Sequence, residues 1–423
     1  MKLFHTIFVY VLLPVLGMAW TLPAKAVPAF ARKYEKRCSY CHAAWPQLNK
    51  KGRSFKELGY RLSADDQDNV EEWRAQLEQL QRASNPGWES NVPLSAVAVA
   101  RPYDERDSGK TMMRALHEIE LFYADSLGTE WSAFAEIKAE DETDFGLKLA
   151  PAMLAYNPAS FFNVSFVWGP AFWADAYGLL DSRFRLTSGH VALIDQSFGG
   201  GDANGKIRSD RQNVSVWGNL WDRLHYAVGI SGKAGDTEGI DSKSTHARLA
   251  LDITSNIMIG TFGLKGKTDA YIETSTTTQT VGGVPGVLVE TQTAIVEADF
   301  SRYGLDLQAD LFNTRLQAAV VRAEDDFSGR IQTLTSDAWT VQAFYAFRSP
   351  TGQPSWVPLI RFDRYERKNS ADQYDEITLN LTYYFTQSVK GYIEYWDQVD
   401  TPTSANSGFG EDKRLTLQLH VAL

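Results

Sequence analysis

Two cysteines and a histidine form the group of residues in this sequence whose types and spacing together specify a reaction centre. Cys38 and Cys41 are separated by two residues, and His42 follows directly. This C-x-x-C-H pattern is that of covalent c-type haem attachment. Two intervening residues place both sulfurs where the porphyrin vinyl groups lie, and the histidine then gives a nitrogen to the iron as proximal ligand. The sequence therefore predicts one covalently bound haem c.

Other uses of a C-x-x-C pair fit the sequence less well. A structural zinc site needs four ligands, but the chain has no further cysteine, and His42 is the only histidine between residues 27 and 90. A thioredoxin-like dithiol needs a βαβ context, which the surrounding residues do not offer. Haem attachment is the interpretation that accounts for all three residues.

The second axial ligand of the iron stays open at this point. No methionine lies between residues 27 and 111, so the N-terminal segment cannot supply a His/Met pair by itself. An open or water-ligated iron is the alternative to a ligand from further along the chain. The candidates there are Met112, Met113, Met153, His117, His190, His225 and His246.

The first 26 residues have the pattern of a secretory signal peptide. Lys2 gives a positive start, residues 7–20 are apolar apart from a proline, and Ala24-Lys25-Ala26 supplies a small-x-small cleavage box. A single membrane anchor is the alternative. No later run of about 18 apolar residues exists, so no second spanning helix is expected. Export also fits haem attachment, which takes place outside the cytoplasm.

Charge is divided unevenly along the chain. Residues 27–62 carry nine basic and two acidic residues, a net charge of +7. Because the whole chain has a net charge of −10 and the signal region holds two lysines, residues 63–423 carry −19. The two parts are expected to dock against each other, with two independent solvated surfaces as the alternative. An exported acidic protein is not expected to bind nucleic acid.

Beyond residue 91 the dominant pattern is an alternation of apolar and polar residues. Leu305, Leu307 and Leu311 fall on one face of such a stretch, with Asp306 and Asp310 on the other. Strands of about ten residues of this kind, repeated over about 330 residues, are typical of a membrane barrel. The predicted fold class is mainly β, a transmembrane antiparallel β-barrel of about 16 strands, in contact with outer-membrane lipid. A soluble β-sandwich would not need so many strands.

The chain is therefore expected to have three parts. They are a signal peptide (1–26), a small α-helical monohaem cytochrome c segment with a helical linker (27–90) and an outer-membrane porin-like β-barrel (91–423). The linker helix is predicted at residues 68–84, where apolar residues recur at helical spacing. Polar stretches at 197–210, 266–290 and 401–412 are predicted to be extracellular loops, and the first could instead fold inward and narrow the pore.

Two further sets of barrel residues have predicted positions or roles. Aromatic residues near strand ends predict girdles at the membrane interfaces; they are Trp131, Trp168, Trp173, Trp217, Trp221, Trp339, Tyr384 and Trp396. Carboxylates on polar strand faces could pair with the basic N-terminal segment, attract a hard cation or simply line a hydrated lumen. They are Glu118, Glu120, Glu136, Glu140, Asp252, Asp306 and Asp310.

Residues 27–62 resemble the N-terminal segment of the fused cytochrome–porin family of outer-membrane iron oxidases. The matching patterns are P-x-F-A-R-K at 28–33, the C-x-x-C-H motif, and L-N-x-x-G-R-x-F-K at 48–56. The resemblance implies a single haem c that plugs a barrel of about sixteen strands. It implies that electrons from extracellular Fe(II) pass to a periplasmic cytochrome c, which would make the chain an oxidoreductase. Cys38, Cys41 and His42 carry over as the haem-binding residues.

Three functions from different classes are compatible with the sequence. The first is an Fe(II)-oxidising electron conduit, and the second is a conduit for another donor, such as a reduced sulfur species. The third is a solute-selective porin with a redox-sensing haem plug. Reduction of the haem by Fe(II) distinguishes the first from the others, and solute conductance in planar bilayers distinguishes the third.

Overall fold

A computed structural model defines the structure over most of the chain. It describes residues 29–34, 36–62, 93–106, 110–198, 205–235, 243–273, 278–281, 284–288, 293–327, 333–350, 352–368, 373–399 and 412–423. The proposed signal peptide and the linker helix predicted at 68–84 lie outside the described residues. None of the helices in the described ranges is both long enough and apolar enough to cross a membrane.

The described N-terminal residues, 29–34 and 36–62, form a small folded unit that we name the plug. Its elements are α1 (Ala29–Tyr34), α2 (Cys38–Cys41), β1 (His42–Ala44), β2 (Gln47–Leu48) and α3 (Lys50–Glu57). β1 and β2 pair as a two-stranded antiparallel sheet. The side chain of Asn49 caps α3 by accepting a hydrogen bond from the Gly52 N–H, as short polar side chains commonly do at helix starts.

Sixteen antiparallel strands form a closed barrel, which confirms the predicted fold class and strand number. In chain order they are β3 (Leu94–Arg106), β4 (Lys110–Leu127), β5 (Trp131–Glu140), β6 (Lys148–Ala159), β7 (Phe162–Gly169), β8 (Arg211–Leu220), β9 (Leu224–Ser231), β10 (Ser244–Thr254), β11 (Ile257–Glu273), β14 (Thr293–Leu311), β15 (Thr314–Phe327), β16 (Leu334–Tyr345), β17 (Trp356–Arg367), β18 (Gln373–Tyr384), β19 (Val389–Val399) and β20 (Asp412–Ala422). β12 (Thr278–Val281) and β13 (Val284–Leu288) form a separate hairpin. β20 pairs with β3 and closes the barrel.

The barrel wall is apolar outside and polar inside. On β10, Leu249 and Leu251 are exposed on the outer face, whereas Arg248 and Ala250, which alternate with them, point inward and are each 1% exposed. Leucines that face outward and charged residues that face inward are the reverse of the arrangement in a water-soluble protein. This arrangement matches a barrel wall in contact with hydrocarbon. The chain is thus an outer-membrane β-barrel, as predicted.

The two ends of the barrel differ in the lengths of their connections. At one end, six of the seven strand connections have two to four residues, and β3 begins and β20 ends there. In outer-membrane barrels the short turns face the periplasm and the longer loops face outward. We therefore call this end the periplasmic mouth and the opposite end the loop mouth.

Aromatic side chains surround the periplasmic mouth, but only some of the predicted girdle residues belong to this ring. Trp131, Trp221 and Phe312 are exposed in different turns of this mouth. The prediction is wrong for Trp173, Trp217 and Tyr384, because these side chains are buried and face the inside of the barrel. Alternation in sequence distinguishes the two faces of a strand, but aromatic residues occur on both faces. A position near a strand end therefore does not show that an aromatic side chain faces the membrane.

The connection between β7 and β8 folds into the barrel, and we name residues 170–198 the inner loop. It contains helix α4 (Ala192–Asp195), and its side chains Leu180 and Leu193 are completely buried against the barrel wall. Asp175 of the inner loop lies 3.0 Å from Arg248 of β10. An inward fold was the alternative considered for residues 197–210, but most of the inward segment lies before these residues.

Two other predicted loops have different outcomes. The loop predicted at 266–290 is wrong in part, because β11 continues to Glu273 and residues 278–288 contain the β12–β13 hairpin. Most of the loop predicted at 401–412 lies outside the described residues.

Candidate functional site

The two cysteines lie on a single helical turn. α2 spans Cys38–Cys41 and ends where His42 takes an extended conformation with φ of −116°. Residues three apart lie on the same side of a helix, so both thiols face the same way. Neither cysteine forms a disulfide bond and both are half-buried, and burial raises the pKa of the Cys38 thiol. The predicted attachment residues are thus brought together by local structure.

Helix α3 holds this turn in place through two residues that sequence reasoning had not assigned a role. The Asn49 side chain donates to the Tyr40 carbonyl at 3.0 Å, while the Asn49 backbone N–H donates to the Cys41 carbonyl at 2.9 Å. At Gly52, a Cβ atom would lie 2.1 Å from that same Cys41 oxygen. Only glycine allows this approach of α3 to α2. The L-N-x-x-G pattern at 48–52 was the sequence signal for this contact.

His42 is oriented by a backbone carbonyl. Its Nδ1 lies 2.9 Å from the Pro46 oxygen, which places the ring proton on Nδ1 and leaves the Nε2 lone pair for another partner. Burial lowers the pKa of His42 from 6.5 to about 4; the hydrogen bond to Pro46 opposes this shift and the charge of Lys390 adds to it. The imidazole is therefore neutral at physiological pH, as a metal ligand must be.

A narrow cleft lies beside these residues at the periplasmic mouth. Its plug side includes Cys38, His42 and Trp45, and its barrel side includes Tyr384 and Gln387. The Gln387 side chain accepts a hydrogen bond from the Cys38 N–H at 3.2 Å. A group attached to the two thiols would therefore face both the plug and the barrel rim.

Charged contacts join the plug to the inside of the barrel. Arg53 lies 3.5 Å from Asp310 of β14, and Lys56 lies 3.3 Å from Asp181 of the inner loop. Lys33 pairs with Asp125 of β4. The basic N-terminal segment thus meets acidic partners, but Asp310 is the one residue among these partners that the sequence had suggested.

The other predicted carboxylates have different surroundings. Asp306 pairs with Arg248 at 2.5 Å, and Asp252 accepts a hydrogen bond from Tyr177 at 3.1 Å, so both hold the inner loop. The remaining four carboxylates face the lumen from β4 and β5 around Lys138; they are Glu118, Glu120, Glu136 and Glu140. Lys138 and Glu140 keep 31% and 23% of their side-chain surface exposed inside the barrel, so water reaches this part of the wall.

None of the predicted second axial ligands lines the cleft. Every histidine and methionine after residue 28 lies in the described ranges, so each can be located. Met153 packs against Phe55 of the plug, His225 lies 3.2 Å from Glu57, and the others lie along the wall or in the inner loop. His420, which was not among the candidates, lies with its ring centroid 6.0 Å from that of Trp45.

The described residues contain no group of three or more His, Cys, Asp or Glu side chains that could hold a metal ion.

Solved structures of outer-membrane proteins share the barrel. OmpT of Vibrio cholerae is 10% identical with a TM-score of 0.54, and the match covers 78% of this chain and 97% of OmpT. An anion-selective porin from Comamonas acidovorans is 13% identical with a TM-score of 0.55, covering 78% and 98%. OmpF of Salmonella typhi is 15% identical with a TM-score of 0.50, covering 78% and 97%. No family model and no curated protein matches the chain. These similarities establish a porin-like outer-membrane fold.

Proposed function

We propose that this barrel is an outer-membrane electron-transfer cytochrome–porin with one haem c attached to Cys38 and Cys41 and ligated by His42. The observation that carries the proposal is the hydrogen bond of His42 to the Pro46 carbonyl, which leaves Nε2 available directly after a turn with two thiols on one side. The haem supplies reversible one-electron exchange at iron. The thiols anchor it, His42 binds the iron, and Asn49 and Gly52 keep the turn rigid.

The filled lumen supports electron transfer over solute transport. The plug occupies the periplasmic mouth and the inner loop crosses the barrel above it; Leu180 and Leu193 of this loop and Ile207 after it are fully buried. Because a porin needs a wide aqueous passage, side chains packed in this way oppose a solute-selective function, and the hydrated wall of β4 and β5 is the route that the proposal leaves to a small ion. Electrons, unlike solutes, need only a redox group within reach of both partners.

The proposed donor is extracellular Fe(II), and the reason for choosing it is the resemblance of residues 27–62 to iron oxidases. The cleft lies at the periplasmic mouth, so the donor has to approach from the loop mouth through the lumen. The inner wall of β4 and β5 offers Glu118, Glu120 and Glu140 along a hydrated surface. Carboxylate oxygens are ligands that hard divalent cations prefer, which supports entry of Fe²⁺ on this side.

The proposed acceptor is a periplasmic cytochrome c. The cleft opens on the periplasmic side, where Arg37, Lys50 and Lys51 of the plug are exposed. Arg348, in the connection between β16 and β17, is exposed beside them and donates to the Ala43 carbonyl at 3.0 Å. A basic rim of this kind favours docking of an acidic protein surface and makes the association rate depend on salt.

The first test combines haem attachment with reduction by Fe(II). Purified protein should give a haem stain on a denaturing gel, and replacement of both Cys38 and Cys41 by alanine should abolish it. Oxidised wild-type protein should then develop the absorption bands of reduced haem when Fe(II) is added. A haem that responds to dithionite but not to Fe(II), from acidic to neutral pH, would leave a conduit for another donor.

The second test addresses the direction of transfer. In vesicles whose loop mouths face outward, free Fe²⁺ added outside should reduce the haem, whereas Fe(II) held in a chelator too large for the lumen should not. An acidic c-type cytochrome enclosed inside should then become reduced. Equal reduction by the free ion and by the bulky chelate would contradict entry through the lumen.

A further inference from the structure

Lys390 is a buried lysine of the barrel wall that faces the plug. It lies at the start of β19 and is 3% exposed. Its Nζ donates to the Trp45 carbonyl at 3.1 Å and lies 4.2 Å from the centroid of the Trp45 ring. A cation over an indole face gains some of the stabilisation that it loses by leaving water. Lys390 is therefore held against one residue of the plug.

Among the described residues, Lys390 has no carboxylate within ion-pair distance, in contrast to most of the buried arginines of the wall. Arg248, Arg302 and Arg361 each lie within 3.0 Å of a carboxylate. Across the described ranges no carboxylate lies within ion-pair distance of Lys390 Nζ, and the charged groups that act on it from neighbouring elements are Arg185 and Glu120. A buried charge without a counter-charge is costly, so its position calls for a functional explanation.

The contacts of Lys390 lead directly to the candidate haem ligand. Trp45 lines the cleft together with Cys38 and His42. Its carbonyl accepts the hydrogen bond from Lys390, and the carbonyl of the next residue, Pro46, holds His42 Nδ1 at 2.9 Å. Two consecutive backbone carbonyls thus connect the wall cation and the proximal histidine. Lys390 does not itself line the cleft, and it reaches the site from the barrel side through Trp45.

We propose that Lys390 holds a positive charge beside the haem and raises its reduction potential, and that it does so only while the plug is docked. This inference rests on the proposed function. One-electron reduction of ferric haem removes one positive charge from the iron, so a fixed cation in surroundings of low dielectric favours the reduced form. Because the cation belongs to the barrel and the haem to the plug, docking sets the potential.

The test is a spectroelectrochemical titration of the full-length protein and three variants. Lys390→Met removes the charge and keeps the length, Lys390→Gln keeps a donor for the Trp45 carbonyl, and Lys390→Arg keeps a charge that cannot be lost. Met and Gln should both lower the midpoint potential, with a tenfold change in the oxidised-to-reduced ratio corresponding to about 59 mV for one electron. Arg should leave the potential close to that of the wild type.

Different results overturn different claims. Midpoint potentials of the Met and Gln variants equal to that of the wild type would overturn the role of Lys390. A wild-type potential that matches Gln and lies below Arg would do the same, since Lys390 would then be uncharged. A wild-type protein without a haem stain would instead contradict the proposed function. Limited proteolysis of each variant checks that the plug stays docked, and an undocked Met variant leaves the Gln variant to decide.

Discussion

Lys56 of the plug and Asp181 of the inner loop form an ion pair of 3.3 Å in which the side chains are only 9% and 0% exposed. Neither residue belongs to the barrel wall. Lys56 Nζ also donates to the Asp175 carbonyl at 2.6 Å, and the Asp181 carboxylate also accepts from Arg183. The two segments that fill the lumen are therefore joined to each other as well as to the wall, and each restrains the other.

Replacing Asp181 by asparagine should release the plug. The change leaves Lys56 and Arg183 as buried charges without their carboxylate, and loss of one partner of a buried pair costs about 3 kcal/mol or more. Limited proteolysis of intact outer membranes should then cut within residues 36–62 faster than in the wild type. Asp222→Asn, in an exposed turn of the periplasmic mouth, is the matched control. Equal cutting rates in both variants would contradict the role of the pair.

Docking of the plug should weaken only at strongly acidic pH. Burial acts to raise the pKa of Asp181, but the charges of Arg183 and Lys56 and the hydrogen bonds from Arg183 hold it below its ordinary 3.8. A carboxylate with a lowered folded-state pKa stabilises the folded state above its ordinary pKa, and this stability is lost as pH falls through the lower value. Proteolysis rates should stay level from about pH 7 to about pH 5 and rise below pH 3.8. A rise already near pH 6 would point to a different titrating group.

Gly52→Ala should impair haem attachment without touching the motif itself. The added Cβ would meet the Cys41 carbonyl at 2.1 Å, and overpacking of this kind costs about 1–3 kcal/mol. The haem-stained fraction of the purified protein should fall relative to total protein. Gly189→Ala is the control, since a Cβ there meets nothing closer than 3.8 Å. Full haem staining of the Gly52 variant would mean that the approach of α3 is not needed.

Ionic conductance in planar bilayers should be low for the intact protein and higher for a variant without residues 27–62. The increase should stay below that of an open porin, because the inner loop remains anchored through Arg248 and Asp175. Asp175→Asn in the same truncated chain should raise the conductance further. A large conductance of the intact protein would contradict a filled lumen.

The barrel could be predicted from the sequence because each strand carries its own pattern. In β14, Leu305, Leu307 and Leu311 alternate with aspartates, and this local period of two is enough to fix the two faces. The same reasoning failed for the inner loop, whose apolar residues, such as Leu180 and Leu193, have no period. They are buried by strands more than a hundred residues away, and no local pattern records such a contact.

The candidate site likewise contains some residues that the sequence could relate to one another and others that it could not. Cys38, Cys41 and His42 are neighbours in sequence, so their spacing alone indicated their relationship. Gln387, in a turn, and Lys390, at the start of β19, reach the site from almost 350 residues later in the chain. A lone lysine near the start of a strand is ordinary in a barrel sequence, and only its burial against Trp45 distinguishes it. Closure of the barrel brings these residues together.

The pairing of β20 with β3 has a consequence for biogenesis. It joins the first and last strands of the barrel, so it is the one seam that remains open until the last strand has been made. The plug precedes β3, and its contacts run to strands from β3 to β20 around the whole interior. Under the proposed function, a plug that carries a rigid haem would take its place more easily while that seam is open than through a finished ring. Haem attachment would then be expected to come before insertion of the completed barrel into the membrane.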